Sequence, residues 1–385
     1  MTTIKTTDEL AALCARLATA PYITVDTEFK REKTYWAQLC LIQVASPDEY
    51  WAIDPLVEGL DLKPFYDLMA NENVLKVFHA ARQDIEIFVK EAGVVPQPLF
   101  DTQVAAMVCG FGESVGYEKL VLRLTNATLD KSVRFTDWSR RPLTEKQLNY
   151  ALGDVIHLRD VYRALDAMLV KNGRQSWLAE EMAILTAAET YISHPEDAWR
   201  RLKTRSNNRR FLAIVQTLAA WREVQAQSKD VPRNRIIRDD VLFEIAAHPP
   251  TDVAGLKQIR GLPANFEKGL QGAEVLNAVQ AAMAIPEKEL PQIPKGKRPP
   301  DDKAAPIVEL LRVLLKLKCQ DAGVASKLVA TIEHLELIAR HDQADVPALK
   351  GWRYELFGQD ALAVKRGELG FAIRGGKLKT ILLGD

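Results

Sequence analysis

The segment Ile23-Thr24-Val25-Asp26-Thr27-Glu28-Phe29 sets apolar Ile23, Val25 and Phe29 against polar Thr24, Asp26 and Glu28. That alternation has the period of two expected of a β-strand. Aspartate is disfavoured in strands, so acids inside an apolar one need a reason. Residues two apart point to the same face, which places the Asp26 and Glu28 carboxylates side by side. Such a pair is either wet at a sheet edge or has a cation between its charges. Hard oxygen ligands suit Mg²⁺ or Mn²⁺, and no Cys or His stands at a spacing that would favour zinc.

Working outward, Leu39–Val44 is a second β-rich run after a short charged loop, so the two strands read as a hairpin. Tyr50–Ile53 and Leu75–Phe78 are further short strands, the latter running into a helix from about Arg82 to Glu91 that stops at Gly93. Helices are expected from about Thr102 and Tyr117. A long one opens at Thr144, where Thr144 and Gln147 have capping-box spacing, and its apolar stripe continues to Gly173. Strands alternating with helices predict an α/β module over residues 1–190. Beyond about residue 175 every clear periodicity is helical, which predicts two small all-α units at 207–285 and 307–385. A basic connector, 191–206, precedes them. Residues 286–306 hold six prolines and read as a semi-rigid linker between them.

The 51 basic and 51 acidic residues cancel, but unevenly. Residues 1–190 carry 20 basic and 27 acidic side chains, a difference of −7; residues 191–260 carry 13 and 8, a difference of +5. No apolar run is long enough to span a membrane and no signal pattern opens the chain. Four scattered cysteines argue against a disulfide framework, and a cytoplasmic setting is expected. No phosphate-binding or dinucleotide glycine motif is present, so no nucleotide cofactor is expected. Gly112-Glu113-Ser114-Val115-Gly116 matches the nucleophile-elbow pattern, but the segment before it reads as a helix rather than the strand that elbow requires.

Two further acids join the first pair. Asp84 falls in the first turn of a helix directly after a strand, where an acid is also an ordinary partner of the helix dipole. Tyr150 and Asp154 are four apart, one above the other on a helix face. The ordered set D-x-E, strand-to-helix Asp, Y-x-x-x-D resembles the tyrosine branch of the DEDD exonuclease family. VDTEFKREKTYWAQLCLIQVA, KVFHAARQDIEIF and TDWSRRPLTEKQLNYALGDVIHL are similar to its three motifs. LAAWREVQAQSKDVPRNRIIRDDVLFEIA resembles an HRDC domain, and the last unit would be a more divergent HRDC-like copy.

The resemblance implies a ribonuclease-H-like mixed sheet flanked by helices. It implies two divalent ions, about 3.5–4 Å apart, that stabilise the attacking and leaving oxygens at phosphorus. Asp26 would bridge both, Glu28 and Asp154 would complete the first, Asp84 would hold the second, and Tyr150 would orient the water. A phenol of ordinary pKa, near ~10, is a poor base at neutral pH. The implied reaction is 3′→5′ hydrolysis of RNA with a free 3′ end, tRNA precursors above all, releasing nucleoside 5′-monophosphates. DNA-directed hydrolysis and non-catalytic nucleic-acid binding are the alternatives.

Phe29, Gln43, His79, Arg82, Trp138 and Arg140 are candidate substrate contacts, and Arg141 stands beside them. Phe29 and His79 could equally be packed in the core. Residues 198–210, AWRRLKTRSNNRR, hold six bases and no acid, so Arg200, Arg201, Arg209 and Arg210 are candidates to grip an RNA body. A solvated helix face is the plain alternative.

Overall fold

The computed structural model describes residues 3–130, 133, 136–204, 206, 208–291 and 304–383. Most of the linker expected at 286–306 lies outside these residues. Backbone contacts divide the chain into two compact units: residues 1–28, 39–191 and 299–385 form one, and residues 29–38 with 192–298 the other.

In the first unit, strands β1 (Thr3–Ile4), β2 (Tyr22–Lys30), β3 (Gln38–Ala45), β4 (Tyr50–Ile53), β5 (Leu75–Phe78) and β6 (Leu99–Asp101) form one mixed sheet. Its order is β1-β4-β3-β2-β5-β6. β2 runs parallel to β5 and β5 parallel to β6, whereas β3 and β4 are antiparallel. The acid-bearing strand is therefore central rather than at an edge. Ile23, Val25 and Thr24 are all buried on it, so the polar half of the alternation does not simply face water.

Helices α1 (Thr7–Leu17), α2 (Lys63–Ala70), α3 (Arg82–Ala92), α4 (Thr102–Val108), α5 (Tyr117–Thr125), α6 (Glu145–Asn172) and α7 (Gln175–Thr186) accompany the sheet. α6 starts where its capping box predicts, with Thr144 and Gln147 satisfying each other's backbone N–H groups, and stops at Gly173 in the left-handed conformation. Leu152, Val155, Leu158, Val161, Leu165 and Leu169 form its buried stripe.

The second unit is helical: α8 (Arg209–Ser228), α9 (Arg233–Ile236), α10 (Asp239–Ala247), α11 (Val253–Gln258) and α12 (Leu270–Ala284). Ile214, Leu218, Leu242, Ile245, Leu256, Val275 and Val279 fill its core.

The final segment departs from the all-α expectation. After α13 (Ala304–Ala322), α14 (Ser326–Val329), α15 (Ile332–Arg340) and a helix at Gln359–Arg366, it ends in an antiparallel hairpin of β7 (Leu369–Arg374) and β8 (Lys377–Leu382). Gly375 and Gly376 make the turn with φ of +59° and +72°, the mirror-image geometry that joins two strands without splaying them. Nor does this segment stand alone. Ala325 N–H donates to the Met107 carbonyl at 2.9 Å, Arg174 donates to the Val108, Ala322 and Gly323 carbonyls, and Trp177 stacks on Trp352 at 4.2 Å.

Gly110 sits in this seam at φ +84°, where a Cβ would lie 2.6 Å from the Gly323 carbonyl oxygen. Gly110→Ala should therefore cost about 1–3 kcal/mol. Denaturant titration checks this; an unchanged midpoint would refute the close approach.

Candidate active site

Thr24 links sheet to helix. Its buried hydroxyl donates to the Val155 carbonyl of α6 at 2.8 Å. Two residues along β2 is Asp26, and one residue back along α6 is Asp154. One hydrogen bond thus brings two distant acids together. Asp26, Glu28 and Asp154 each offer a carboxylate oxygen within 4.8 Å of the others. Tyr150, one turn before Asp154, joins them in lining a cleft of about 530 Å³, with Thr27, His79, Tyr117, Lys119 and Asp130.

Asp84 stands outside that trio but is tied to it. It is buried in the first turn of α3 and accepts the Thr27 hydroxyl, from the residue between Asp26 and Glu28. Asp101 shapes the approach to α3, accepting the N–H groups of Ala80 (3.0 Å) and Ala81 (2.8 Å) while capping α4. Ala80 adopts φ +61°, a left-handed conformation unusual for alanine, and these bonds hold it there.

Burial and then the neighbouring Asp154 charge push the Asp26 carboxyl well above its ordinary range. Burial and then Asp26 do the same to Asp84. Clustered acids with raised proton affinity fit a hard divalent cation, which relieves both the repulsion and the desolvation. Tyr117 donates its hydroxyl to the Asp154 carbonyl, and burial followed by the Asp154 and Asp26 charges raises its pKa, so it remains a donor. His79 Nδ1 lies 3.0 Å from the Thr102 hydroxyl and its ring centroid 5.2 Å from that of Tyr117. Burial lowers its pKa against the opposing pull of Asp101 and the Val115 carbonyl, which favours the neutral ring.

Of the other candidate contacts, Trp138 is 4% exposed and packs with Cys40, Leu41 and Leu152, against Tyr150. It packs beside the tyrosine ring and does not line the cleft. Gln43 is fully buried with neither amide atom hydrogen-bonded among the described residues. Phe29, at the end of β2, is half-buried, and Arg82 is exposed at the start of α3; neither lines the cleft. Arg140 is exposed and faces Asp137 at 3.6 Å. Arg141 is committed to Asp54, at 2.6 and 2.7 Å, and to the Cys40 carbonyl.

The basic stretch needs a correction. Arg209 donates to the Leu290 and Pro291 carbonyls, and Arg210 to those of Ala282, Met283 and Ile285. Arg210 thus caps the end of α12, whose last carbonyls lack helical partners, and Arg209 ties down the chain that follows it, so both guanidiniums are engaged inside the helical unit. Arg200 pairs with Asp197 at 2.6 Å and Arg201 with Glu223 at 3.3 Å, yet both side chains remain mostly exposed.

Sequence reasoning missed Thr27, Tyr117, Asp101 and Thr102. The pair Asp101-Thr102 at a strand-to-helix boundary is an N-cap signal that was there to be read. Nothing local marks Thr27 or Tyr117.

Residues 1–170 match the 3′-5′ exonuclease family and residues 211–279 the HRDC domain. The chain is 54% identical to a ribonuclease D of Nitrobacter hamburgensis, covering 98% of each, and 55% identical to one from Jannaschia over 98% and 99%. The chain belongs to the ribonuclease D family. It superposes on the crystal structure of Escherichia coli RNase D, described as an exoribonuclease involved in structured RNA processing, with a TM-score of 0.81 and 31% identity, over 94% of this chain and 98% of the other. A Bifidobacterium adolescentis protein at 22% identity shares the fold with a TM-score of 0.71, over 95% and 97%. As a ribonuclease D family member the protein is a 3′-5′ exoribonuclease, with its exonuclease domain followed by an HRDC domain. No helix among the described residues is long and apolar enough to cross a membrane.

Three outcomes follow from this geometry. Thr27→Val removes the donor to Asp84 and should lower turnover about tenfold with little loss of stability; wild-type kinetics would deny Thr27 its role. Arg210→Glu should lower thermal stability, since three carbonyls lose their donor, while KM for RNA barely changes. The raised Asp26 and Asp84 pKa values mean that the folded, metal-free protein holds protons more tightly than the unfolded chain. Their stabilising contribution is complete below the unfolded carboxyl range near ~4 and is lost as pH rises through the elevated folded values. In chelator, the melting temperature should therefore fall more between about pH 5 and pH 8 in wild type than in Asp26→Asn. Parallel curves would contradict the shift.

Proposed function

We propose that the protein trims 3′ extensions of structured RNA, tRNA precursors above all, by hydrolysis assisted by two divalent ions, Mg²⁺ or Mn²⁺, releasing nucleoside 5′-monophosphates. The observation that carries this reading is the trio of carboxylates within 4.8 Å beside Tyr150 in one cleft. Asp26, Glu28 and Asp154 would hold one ion, with Asp26 shared, and Asp84 would serve the second. When bound, such ions supply Lewis-acid stabilisation of charge on the attacking and leaving oxygens.

The chain's own groups do the positioning. Thr27 keeps the Asp84 carboxylate turned toward the Asp26–Glu28 strand. Tyr117 fixes the α6 turn that carries Asp154. Tyr150, braced by Trp138 at 6.1 Å between ring centroids, would present its hydroxyl to the attacking water. Arg200 and Arg201, exposed in the basic stretch, would meet the RNA body; the relative from Escherichia coli, described as involved in structured RNA processing, supports that substrate class.

A 3′-extended tRNA incubated with Mg²⁺ or Mn²⁺ should be shortened from its 3′ end to nucleoside monophosphates, and not in chelator. Asp26→Asn and Asp154→Asn should abolish single-turnover cleavage, and Tyr150→Phe should slow it while leaving metal binding intact. A matched DNA oligonucleotide cleaved as fast as RNA would move the reading to a sugar-tolerant exonuclease. Undiminished cleavage by Asp26→Asn would end it.

A further inference from the structure

The boundary between the two compact units falls inside β2, between Glu28 and Phe29. The loop that leaves the carboxylate strand, up to Gln38 at the start of β3, is thus part of the helical unit. It is held there firmly. Asp230, just after α8, accepts the N–H groups of Tyr35 (3.0 Å) and Trp36 (2.9 Å) through one carboxylate oxygen. The Tyr35 hydroxyl donates to buried Glu223 at 2.5 Å and accepts from Arg233 at 3.0 Å and Gln227 at 3.1 Å. The Arg233 guanidinium lies 4.7 Å from the Tyr35 ring centroid and also binds Glu223. Tyr35, 5% exposed, packs with Ala226 and Ile236.

A connection between two adjacent strands sets their register, and a one-residue slip turns every side chain to the opposite face. On β2 such a slip, or fraying of the strand end, would carry Asp26 and Glu28 away from Asp154. Strand ends open locally at little cost unless something ties them. Here the tie is supplied by helical residues nearly 200 positions later in the chain, and buried side chains complete it.

We propose that Tyr35, Glu223 and Asp230 are positioning residues for the carboxylate site: by gripping the β2–β3 loop, the helical unit holds Asp26 and Glu28 in metal-binding register. The HRDC-type unit then serves hydrolysis through the carboxylate strand, in addition to any hold on RNA. This rests on the reading that Asp26 and Glu28 bind divalent ions.

The test uses the full-length protein, freed of metal and titrated with Mn²⁺ by calorimetry. Hydrogen exchange across residues 22–30 and turnover of a ribo-trinucleotide, too short to need an RNA-gripping surface, complete the measurement. Asp230 has φ +47°, so Asp230→Gly removes the carboxylate without backbone strain, and Asp230→Asn keeps an acceptor at the same place. Asp230→Gly should weaken Mn²⁺ binding by about fivefold or more, quicken exchange in β2 and raise the metal concentration for half-maximal turnover. Asp230→Asn should restore all three. Tyr35→Phe, which keeps the packing and loses the hydroxyl bonds, should shift them in the same direction and carries the test if Asp230→Gly fails to fold. Unchanged Mn²⁺ affinity and β2 exchange in these variants would overturn the proposal. Wild-type protein that binds no Mn²⁺ would instead overturn the metal-site reading beneath it.

Discussion

Three carboxylates with oxygens within 4.8 Å of one another repel, and the fold has to hold them together against that repulsion. Much of the first unit serves this constraint. β2 is central in its sheet, so Asp26 and Glu28 ride on a strand supported on both sides. The Thr24–Val155 bond brings α6 against that strand at the level of Asp154, and Tyr117 binds the carbonyl of Asp154 itself. Thr27 donates to Asp84, adding a fourth acid. Burial and the neighbouring carboxylates raise the proton affinities of Asp26 and Asp84, as crowding of acids without counter-charge requires. Counter-charge from a bound cation would relieve it.

The acids were legible in sequence because their logic is local. The spacing i, i+2 on a strand and i, i+4 on a helix fixes which side chains share a face; D-x-E and Y-x-x-x-D are weak signals singly, and their order along the chain with Asp84 is what points to a site. The α6 boundaries were equally legible, since a capping box and a terminal glycine act within a few residues. Thr27 and Tyr117 were not, because their partners are tertiary: Asp84 and the Asp154 carbonyl lie 57 and 37 residues away. The basic stretch misled for the same reason. Arg209 and Arg210 look like a phosphate grip until carbonyls at the end of α12 and just beyond it, more than 70 residues on, take their donors.

The C-terminal hairpin is a different failure. Its signal was local and present: Leu369–Arg374 and Lys377–Leu382 flank Gly375-Gly376, a two-residue turn signature. Helical periodicity in the preceding residues overrode it. Chain charge was similarly informative only once divided. Part of the first unit's acidity is the carboxylate site, and part of the second unit's basicity is spent internally, on α12 and on Glu223, so surface charge available to RNA is smaller than the count of 13 basic residues over 191–260 implies.

The central claim is that the Asp26–Glu28–Asp154 cluster acts through divalent ions touching the reacting phosphate. Single-turnover release of the last nucleotide from RNA carrying sulfur at a non-bridging position of its terminal linkage tests this most directly, in Mg²⁺ and in Mn²⁺. Sulfur is a poor ligand for hard Mg²⁺ and a better one for Mn²⁺. If ions held by these carboxylates touch that oxygen, release is slow in Mg²⁺ and recovers in Mn²⁺ for at least one phosphorus stereoisomer. Equal rates in both metals for both stereoisomers would contradict it.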